Sequence, residues 1–508
     1  MRGTLALAAA GFIAKLLSAV QRVLVARWLG AEAIGLYELA MPLLSLGISL
    51  CSLGMPVALS AAVARARERG DVEGVARAHR SARILLVCCG SAGALAVLMF
   101  AGPLAQLYGN PRAAGAIMVI APSIALATYL AGERAWLQGS GRVPASAASV
   151  AAEQVARVGA ALAASLPFIG RVAGRAEEAA RAISWSPAVG AAGALCTAWV
   201  ADRAVPVGQG ALHGGRPAQG IPRAGAGPGS LLRTGMANWG SGVISALATA
   251  VDTVLITWRL RASGLSPFAA TAGIGELNGM ALPLAVAPTV LFGALGSALL
   301  PSSAADWARG DTKSMLRKGQ MAYLWALAIA IPCAVVLAQF ARPLTVLFYR
   351  NVAAAGPLAI LGWAVIPLAM TYMAAVLANA ADHPTLLIPG VSLGAVTKTS
   401  LVLWLTGRFG LGVRGAAVAT VAGLSVNALW NILSIGREFG CMPPWAEAAR
   451  SVIPAALAQA VAGGALWMWL GHSPEAIRAV LSLVGGLGVY GVALMALWEN
   501  GRSAIWRM

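Results

Sequence analysis

The chain has 508 residues, 59% of them hydrophobic and only 11% charged, with a formal net charge of +18. So few charges cannot coat a soluble protein of this size, and with a mean hydropathy of +0.75 the composition is that of a polytopic membrane protein. The surplus arginine and lysine is scattered between apolar segments without basic runs, which excludes a nucleic-acid binder and leaves these cations as topology signals.

The first apolar window, 4–28, reads TLALAAAGFIAKLLSAVQRVLVARW and carries Lys15, Arg22 and Arg27. At about 1.5 Å rise per residue, Lys15 lies ~16 Å below Thr4, near the middle of a ~30 Å hydrocarbon layer. A lysine there costs roughly 2.5–3.5 kcal/mol on insertion scales, so it faces a water-filled cavity or a partner, not lipid. Lys15 and Arg22 fall within about 20° of each other around the helix, with Gly11 and Ser18 on the same face. That face is small and cationic, which suits an anion at mid-membrane. The alternative is that Arg22 and Arg27 snorkel to the outer interface and Lys15 pairs internally. Arg27 lies about 140° from Arg22 and near the outer surface, which makes it the weakest of the three. The window is too long and too interrupted by charge for a secretion signal, so it is expected to remain as the first helix.

Further windows of membrane length follow at 35–64, 84–107, 114–138, 144–168 and 185–204, then at 232–258, 273–303, 320–341, 353–381, 384–406 and 412–435, and finally at 451–470 and 477–498. The expectation is an all-α membrane protein of about fourteen helices. Loops assigned to the inner side hold the larger share of basic residues, most densely from Arg65 to Arg83, which places both termini in the cytoplasm. The longest outer loop runs from Gly170 to Ser184. The stretch 205–230 is rich in Gly and Pro, carries His213, Arg216 and Arg223 and has no acid, and reads as a flexible cytoplasmic linker.

Polar residues inside the windows form a few groups. Asn238, Ser241, Ser245, Thr249 and Asp252 make one continuous stripe on the seventh helix, with Arg259 on the same side. The stripe is either a cavity wall whose carboxylate tunes the cations of the first helix, or helix–helix glue. Glu276 and Asn278, near the outer start of the eighth helix, are either cavity groups or interfacial, and their position favours the interface. Glu133 and Arg134 sit in the fourth helix, and Glu153 and Arg157 in the fifth make an i,i+4 pair that belongs to a structural ion cluster or to a substrate contact. Lys398 is a weaker cavity candidate. The six cysteines and four histidines show no metal-ligand or disulfide spacing, and no phosphate loop or nucleophile elbow is present, so no metal, cofactor or ATP-driven chemistry is expected.

The chain repeats itself. PLAQLYGNPRAAG from Pro103 matches PLTVLFYRNVAAAG from Pro343, Gly70-Asp71 matches Gly310-Asp311, and Pro144 matches Pro384, each pair 240 positions apart. A repeat with an even number of spans keeps its orientation, so the lobes are related by an axis along the membrane normal, with a substrate cleft expected between them. The expected divisions are a six-helix lobe at 1–204, the linker at 205–230, a second six-helix lobe at 231–440 and two additional helices at 441–508.

With these residues in view, RGTLALAAAGFIAKLLSAVQRVLVARWLGAEAIGLYELAMP, LGMPVALSAAVARARERGD, ERAWLQGSGRVPASAASVAAEQVARV and ALPLAVAPTVLFGALGSALLPSSAADWARGD resemble the stage V sporulation protein B family of polysaccharide exporters. The resemblance runs over nearly the whole chain, most specifically in the first 160 residues and more loosely in the last two helices. It implies the multidrug/oligosaccharidyl-lipid/polysaccharide exporter superfamily, with a MATE-like fold of two six-helix lobes plus two helices. It further implies a polyprenyl-diphosphate-linked sugar as substrate, of the lipid II type, moved across the bacterial cell (inner) membrane for cell-wall or spore cortex synthesis, alongside membrane lipids and cell-wall synthesis proteins as partners. By position, Lys15, Arg22 and Arg27, with Ser18 on one wall and Asn238 and Asp252 on the other, would be the substrate-binding groups.

Two other functions stand against this expectation. A cation-coupled multidrug exporter of the same superfamily wants intramembrane carboxylates, and the first helix has none. A membrane glycosyltransferase or polymerase on the same carrier wants acids and bases in a long outer loop, and Gly170–Ser184 offers Glu177 and Glu178 but no histidine. The expected protein is a transporter, not an enzyme.

Overall fold

The computed structural model describes residues 2–204, 228–407 and 411–505, and every regular element among them is a helix. In chain order these are α1 (Arg2–Ser52), α2 (Met55–Glu68), α3 (Val72–Met99), α4 (Ala101–Leu107), α5 (Ala114–Gly139), α6 (Val143–Ser165), α7 (Ala176–Ile183), α8 (Ser186–Ala204), α9 (Pro228–Ala262) and α10 (Pro267–Ile274). They continue with α11 (Leu282–Val286), α12 (Thr289–Ala308), α13 (Thr312–Gln339), α14 (Ala341–Tyr349), α15 (Ala355–Leu361), α16 (Val365–Ala380), α17 (Ile388–Leu405), α18 (Gly412–Phe439), α19 (Trp445–Glu447), α20 (Ile453–Trp469) and α21 (Glu475–Ile505). The expected all-α membrane fold is what is found. Positions 205–227, most of the expected linker, lie outside the described residues.

Among the described residues, eleven helices are long and apolar enough to cross a membrane, or twelve if the bent pair Pro267–Val286 and Thr289–Ala308 is one span. The expectation was about fourteen, and two features account for the gap. One is Leu17–Arg67, which counts once although its 51 residues amount to ~76 Å of helix against a ~30 Å layer. Inside it, Gly30 has φ 72 and ψ 177, a conformation essentially closed to residues with a Cβ. Arg22 and Glu38, equally far from Gly30 on either side, would stand ~24 Å apart on a straight helix. They are 3.5 Å apart. The chain therefore reverses at Gly30, and α1 is two antiparallel arms, 2–29 and 31–52. The other feature is α6, whose Glu153, Gln154 and Arg157 keep it out of the apolar set.

The outer loop expected at 170–184 is largely helical. Ala176, Ala179, Ala180 and Ile183 recur at helical spacing and bury one face of α7. With α8 it makes a 28-residue span, Ala176–Arg203.

The internal repeat is visible in backbone detail. Gly70 (φ 70) and Gly310 (φ 74) precede Asp71 and Asp311, whose carboxylates accept the amides of Gly74 at 2.7 Å and Ser314 at 3.0 Å to cap α3 and α13. Further on, Gly109 (φ 70) and Arg350 (φ 54) both take the left-handed conformation after α4 and α14. Asn110 and Asn351 follow, each accepting a backbone amide at 3.1 Å, from Arg112 and Ala354. Equivalent caps a repeat apart mark a duplicated unit more firmly than shared apolar composition does.

The described residues gather into two compact units, Met1–Trp258 with Pro267–Gly275, and Arg259–Ser266 with Glu276–Met508. In the first, a core of Met55, Leu59, Val63, Leu86 and Trp136 joins α2, α3 and α5. The 31–52 arm of α1 meets α10 almost backbone to backbone. A Cβ on Gly35 would collide with the Thr271 carbonyl, and one on Gly275 with the Ala31 carbonyl.

In the second unit, a proline determines how the last two long helices dock. Pro332 of α13 has no amide hydrogen to give the Ala328 carbonyl. The Tyr490 hydroxyl of α21 donates to that carbonyl at 2.6 Å, and Gln459 of α20 donates to the Pro332 carbonyl at 3.2 Å. Both groups are buried in an apolar setting where a lone carbonyl is costly. Tyr490→Phe is expected to cost about 1–2 kcal/mol, read as a lowered unfolding midpoint of the detergent-solubilised protein. An unchanged midpoint would mean that the hydroxyl does not hold this helix pair in place.

Candidate functional site

The site rests on the 2–29 arm of α1 and on what the returning arm and α6 set against it. Ser18 donates its hydroxyl to Gln154 Oε1 of α6 at 2.7 Å. One turn on, Arg22 Nη1 stands 3.5 Å from Glu38 Oε1; the Arg22 side chain is 45% exposed and that of Glu38 10%. Arg157 of α6 also sets its positive charge on Glu38. A carboxylate buried at membrane depth is costly to keep ionised without a partner, and here two guanidiniums supply compensation. Glu38 therefore anchors the exposed Arg22 from one side.

The 2–29 arm carries no carboxylate, as expected, but the returning arm brings Glu38 against it. Glu38 lies in the second apolar window, so a window-by-window reading places it on a different span. A usable signal exists: Gly30 is the one break, and Arg22 and Glu38 are equidistant from it. Pro42 reinforces the position, because it removes the amide that would otherwise bond to the Glu38 carbonyl.

The ion pairs of α5 and α6 also differ from the expected pattern. Glu153 pairs with Arg134 of α5 at 2.7 Å, not with Arg157, and Arg134 also donates to the Ser149 hydroxyl at 3.2 Å and carbonyl at 3.0 Å. The i,i+4 spacing loses because Arg134 on the neighbouring helix reaches the carboxylate while two further bonds to Ser149 hold its guanidinium in place. Glu133, next to Arg134 in sequence, turns the other way, with His79 at 3.4 Å and Arg83 at 3.6 Å. The His79 ring stacks on Trp136 at 4.1 Å. These groups tie α3, α5 and α6 together around α1.

The remaining candidates are distributed as follows. Arg27 is exposed and Asp252 is buried, 4% exposed. The side chains of Lys15, Asn238 and Ser241 lie outside the described residues; the helical backbone at Lys15 continues the arm that carries Arg22. Within the α9 stripe, Thr249 donates to the Ser245 carbonyl at 3.0 Å, and Thr253 and Thr257 repeat the pattern at 2.9 and 2.8 Å. These hydroxyls satisfy their own helix, which limits what they offer a ligand or a neighbouring helix. Arg259, expected beside Asp252, has its guanidinium packed against Gly407. Lys398 is half-buried where α17 crosses Gly423 of α18. Glu276 sits in a π-helical turn, Gly275–Ala281, and lines a cavity of about 320 Å³ with Pro357, Leu411, Val413 and Arg414. Among the described residues, no three His, Cys, Asp or Glu side chains are grouped to hold a metal ion.

Comparison with known proteins gives a consistent picture. Residues 1–305 match the family described as polysaccharide biosynthesis protein. Stage V sporulation protein B of Bacillus subtilis (strain 168) is 27% identical over 453 residues, covering 86% of this chain and 83% of that protein. Sporulation protein YkvU of the same strain is 23% identical over 354 residues, covering 69% and 76%. Among solved structures, the inward closed lipid II flippase MurJ superposes with a TM-score of 0.72 at 14% identity, covering 97% of this chain and 99% of that one. An inward-facing multidrug resistance MATE family transporter superposes at 0.65 with 16% identity, covering 84% and 94%. At such identities the structures speak for a shared MATE-like fold.

Proposed function

Because the chain belongs to the polysaccharide biosynthesis protein family, we propose that it is a flippase for a lipid-linked oligosaccharide or peptidoglycan precursor. The substrate is of the lipid II type, a polyprenyl-diphosphate whose sugar head moves from the inner to the outer side by alternating access of the repeated lobes at 1–204 and 231–440. The protein resides in the bacterial inner membrane with both termini cytoplasmic and serves cell-wall or spore cortex synthesis, in company with the proteins that consume the precursor. It is a transporter, not an enzyme, and needs no cofactor.

The observation that carries this reading is Arg22, a guanidinium half open on a membrane-length helix and anchored by a buried carboxylate. A diphosphate must shed water to cross, and a guanidinium replaces that hydration with paired, charge-assisted hydrogen bonds. Lys15, two helical turns earlier on the same face, adds a second cation. Glu38 moderates the grip, since an anion held too tightly would not be released outside. The acyl tail stays in lipid, so only the head needs a polar route.

The test is to express the protein in a host depleted of its own lipid II flippase and to follow precursor accessibility from outside. Restored accessibility is expected. No restoration, combined with ethidium efflux that Glu38→Gln or Asp252→Asn abolishes, would replace the flippase by a cation-coupled drug exporter. Buried Glu38 is the observation that favours this second reading.

A further inference from the structure

Within the second unit, where α13 and α20 end and α21 begins, Gln339, Phe340, Arg342, Trp467, Glu475 and Arg478 line a cavity of about 510 Å³. Its walls are fixed. Arg478 donates through Nε to the Trp467 carbonyl at 2.5 Å and lies 4.0 Å over the Trp467 ring. Phe340 meets the same ring edge-on at 5.9 Å, and Gln339 donates to the Ala460 carbonyl at 2.9 Å. Arg342 is exposed and makes no ion pair among the described residues. Two guanidiniums face one carboxylate, so the cavity is net positive and selects an anion.

The location says which anion. Membrane-length helices end here, and Met468 and Trp469 beside the cavity are 74% and 79% exposed, as side chains are at the level of lipid headgroups. Below them α20 and α21 present open apolar faces, with Val461 72% and Val492 71% exposed. A ligand with an anionic head at the cavity and an apolar tail along these helices matches both surfaces. From this geometry we infer that the cavity binds the phosphate of a membrane lipid, held by Arg342 and Arg478 with Trp467 and Phe340 as an apolar floor. Two sources share that chemistry, an anionic phospholipid and a polyprenyl phosphate carrier; only the second rests on the flippase reading. A lipid here clamps α20 and α21 to the start of α14.

Native mass spectrometry of the full-length protein in detergent tests this, with phosphatidylglycerol, phosphatidylcholine and undecaprenyl phosphate titrated separately. The wild type is expected to retain phosphatidylglycerol or undecaprenyl phosphate well above phosphatidylcholine, and whichever is retained more identifies the source. Arg342→Gln is expected to lower that retention roughly tenfold, Arg342→Lys to keep most of it, and Arg350→Asn, at an exposed arginine outside the cavity, to leave it unchanged. The unfolding midpoint of Arg342→Gln without lipid is measured alongside, so that misfolding is not mistaken for lost binding. Equal retention of phosphatidylcholine by the wild type, or undiminished retention by a folded Arg342→Gln, would overturn the site. A wild type that retains lipid but does not restore precursor accessibility in the flippase-depleted host would count against the flippase reading alone.

Discussion

Arg22→Ala is expected to abolish transport in the flippase-depleted host while the protein still reaches the membrane. The substitution has two effects that need separating. It removes the guanidinium proposed to bind the anion, and it strips Glu38 of its nearest counter-charge. Breaking a fully buried pair from one side costs about 3–5 kcal/mol, but Arg22 is partly solvated and the charge of Arg157 still acts on Glu38, so a loss of about 1–3 kcal/mol is expected here. Glu38→Gln in the same chain removes the stranded carboxylate. The double variant should therefore recover most of the unfolding midpoint and still fail to transport. A double variant that transports normally would end the case for Arg22 as a substrate-binding group. Lys15→Ala should lower transport on the same assay without this stability change, because no acid is placed in its helical neighbourhood by sequence.

Gly35→Ala is expected to lower stability by about 2–3 kcal/mol and to reduce transport with it. The added methyl would overlap the Thr271 carbonyl, and a backbone oxygen inside a helix cannot swing aside as a flexible side chain can. The 31–52 arm must then move away from α10 or rotate, and Glu38 is less than one turn further along it. Gly275→Ala meets the same obstacle from the other side, at the Ala31 carbonyl. Unfolding midpoints of the two single variants and their combination are the measurement. Contact between the same two backbones predicts that the double variant loses much less than the sum of the singles, because one displacement relieves both clashes. Full additivity, or no loss in either single variant, would show that this close approach does not exist.

Much of the architecture was legible because lipid imposes so strict a rule on the chain. Every backbone polar group must be satisfied internally, so apolar windows of membrane length translate directly into helices, and their order gave the bundle. The repeat was legible for a similar reason: Gly70-Asp71 and Gly310-Asp311 are a turn and a cap, whose residue types follow from local backbone geometry. Where one residue type serves two local purposes, the reading failed. The alanines of 176–183 looked like loop because a short amphipathic helix has no long apolar run.

The candidate site was only half legible. From the sequence came the cationic face of the first helix, since helical periodicity alone puts Ser18 and Arg22 together and carries Lys15 with them. The sequence could not say what holds that face. Spacing suggested Glu153 for Arg157, whereas Arg134 takes Glu153 from the adjacent helix, and Arg157 is left to act on Glu38. Nor could it place the cavity of Arg342 and Arg478, whose lining comes from positions more than a hundred residues apart. Ionic partners at membrane depth are chosen by whichever charge comes within reach in three dimensions, because the cost of leaving one alone exceeds any local preference. The sequence by itself determined a membrane-embedded, duplicated helical protein with cations in its first span. Only the tertiary structure decided, through the reversal at Gly30, that a buried glutamate stands against Arg22.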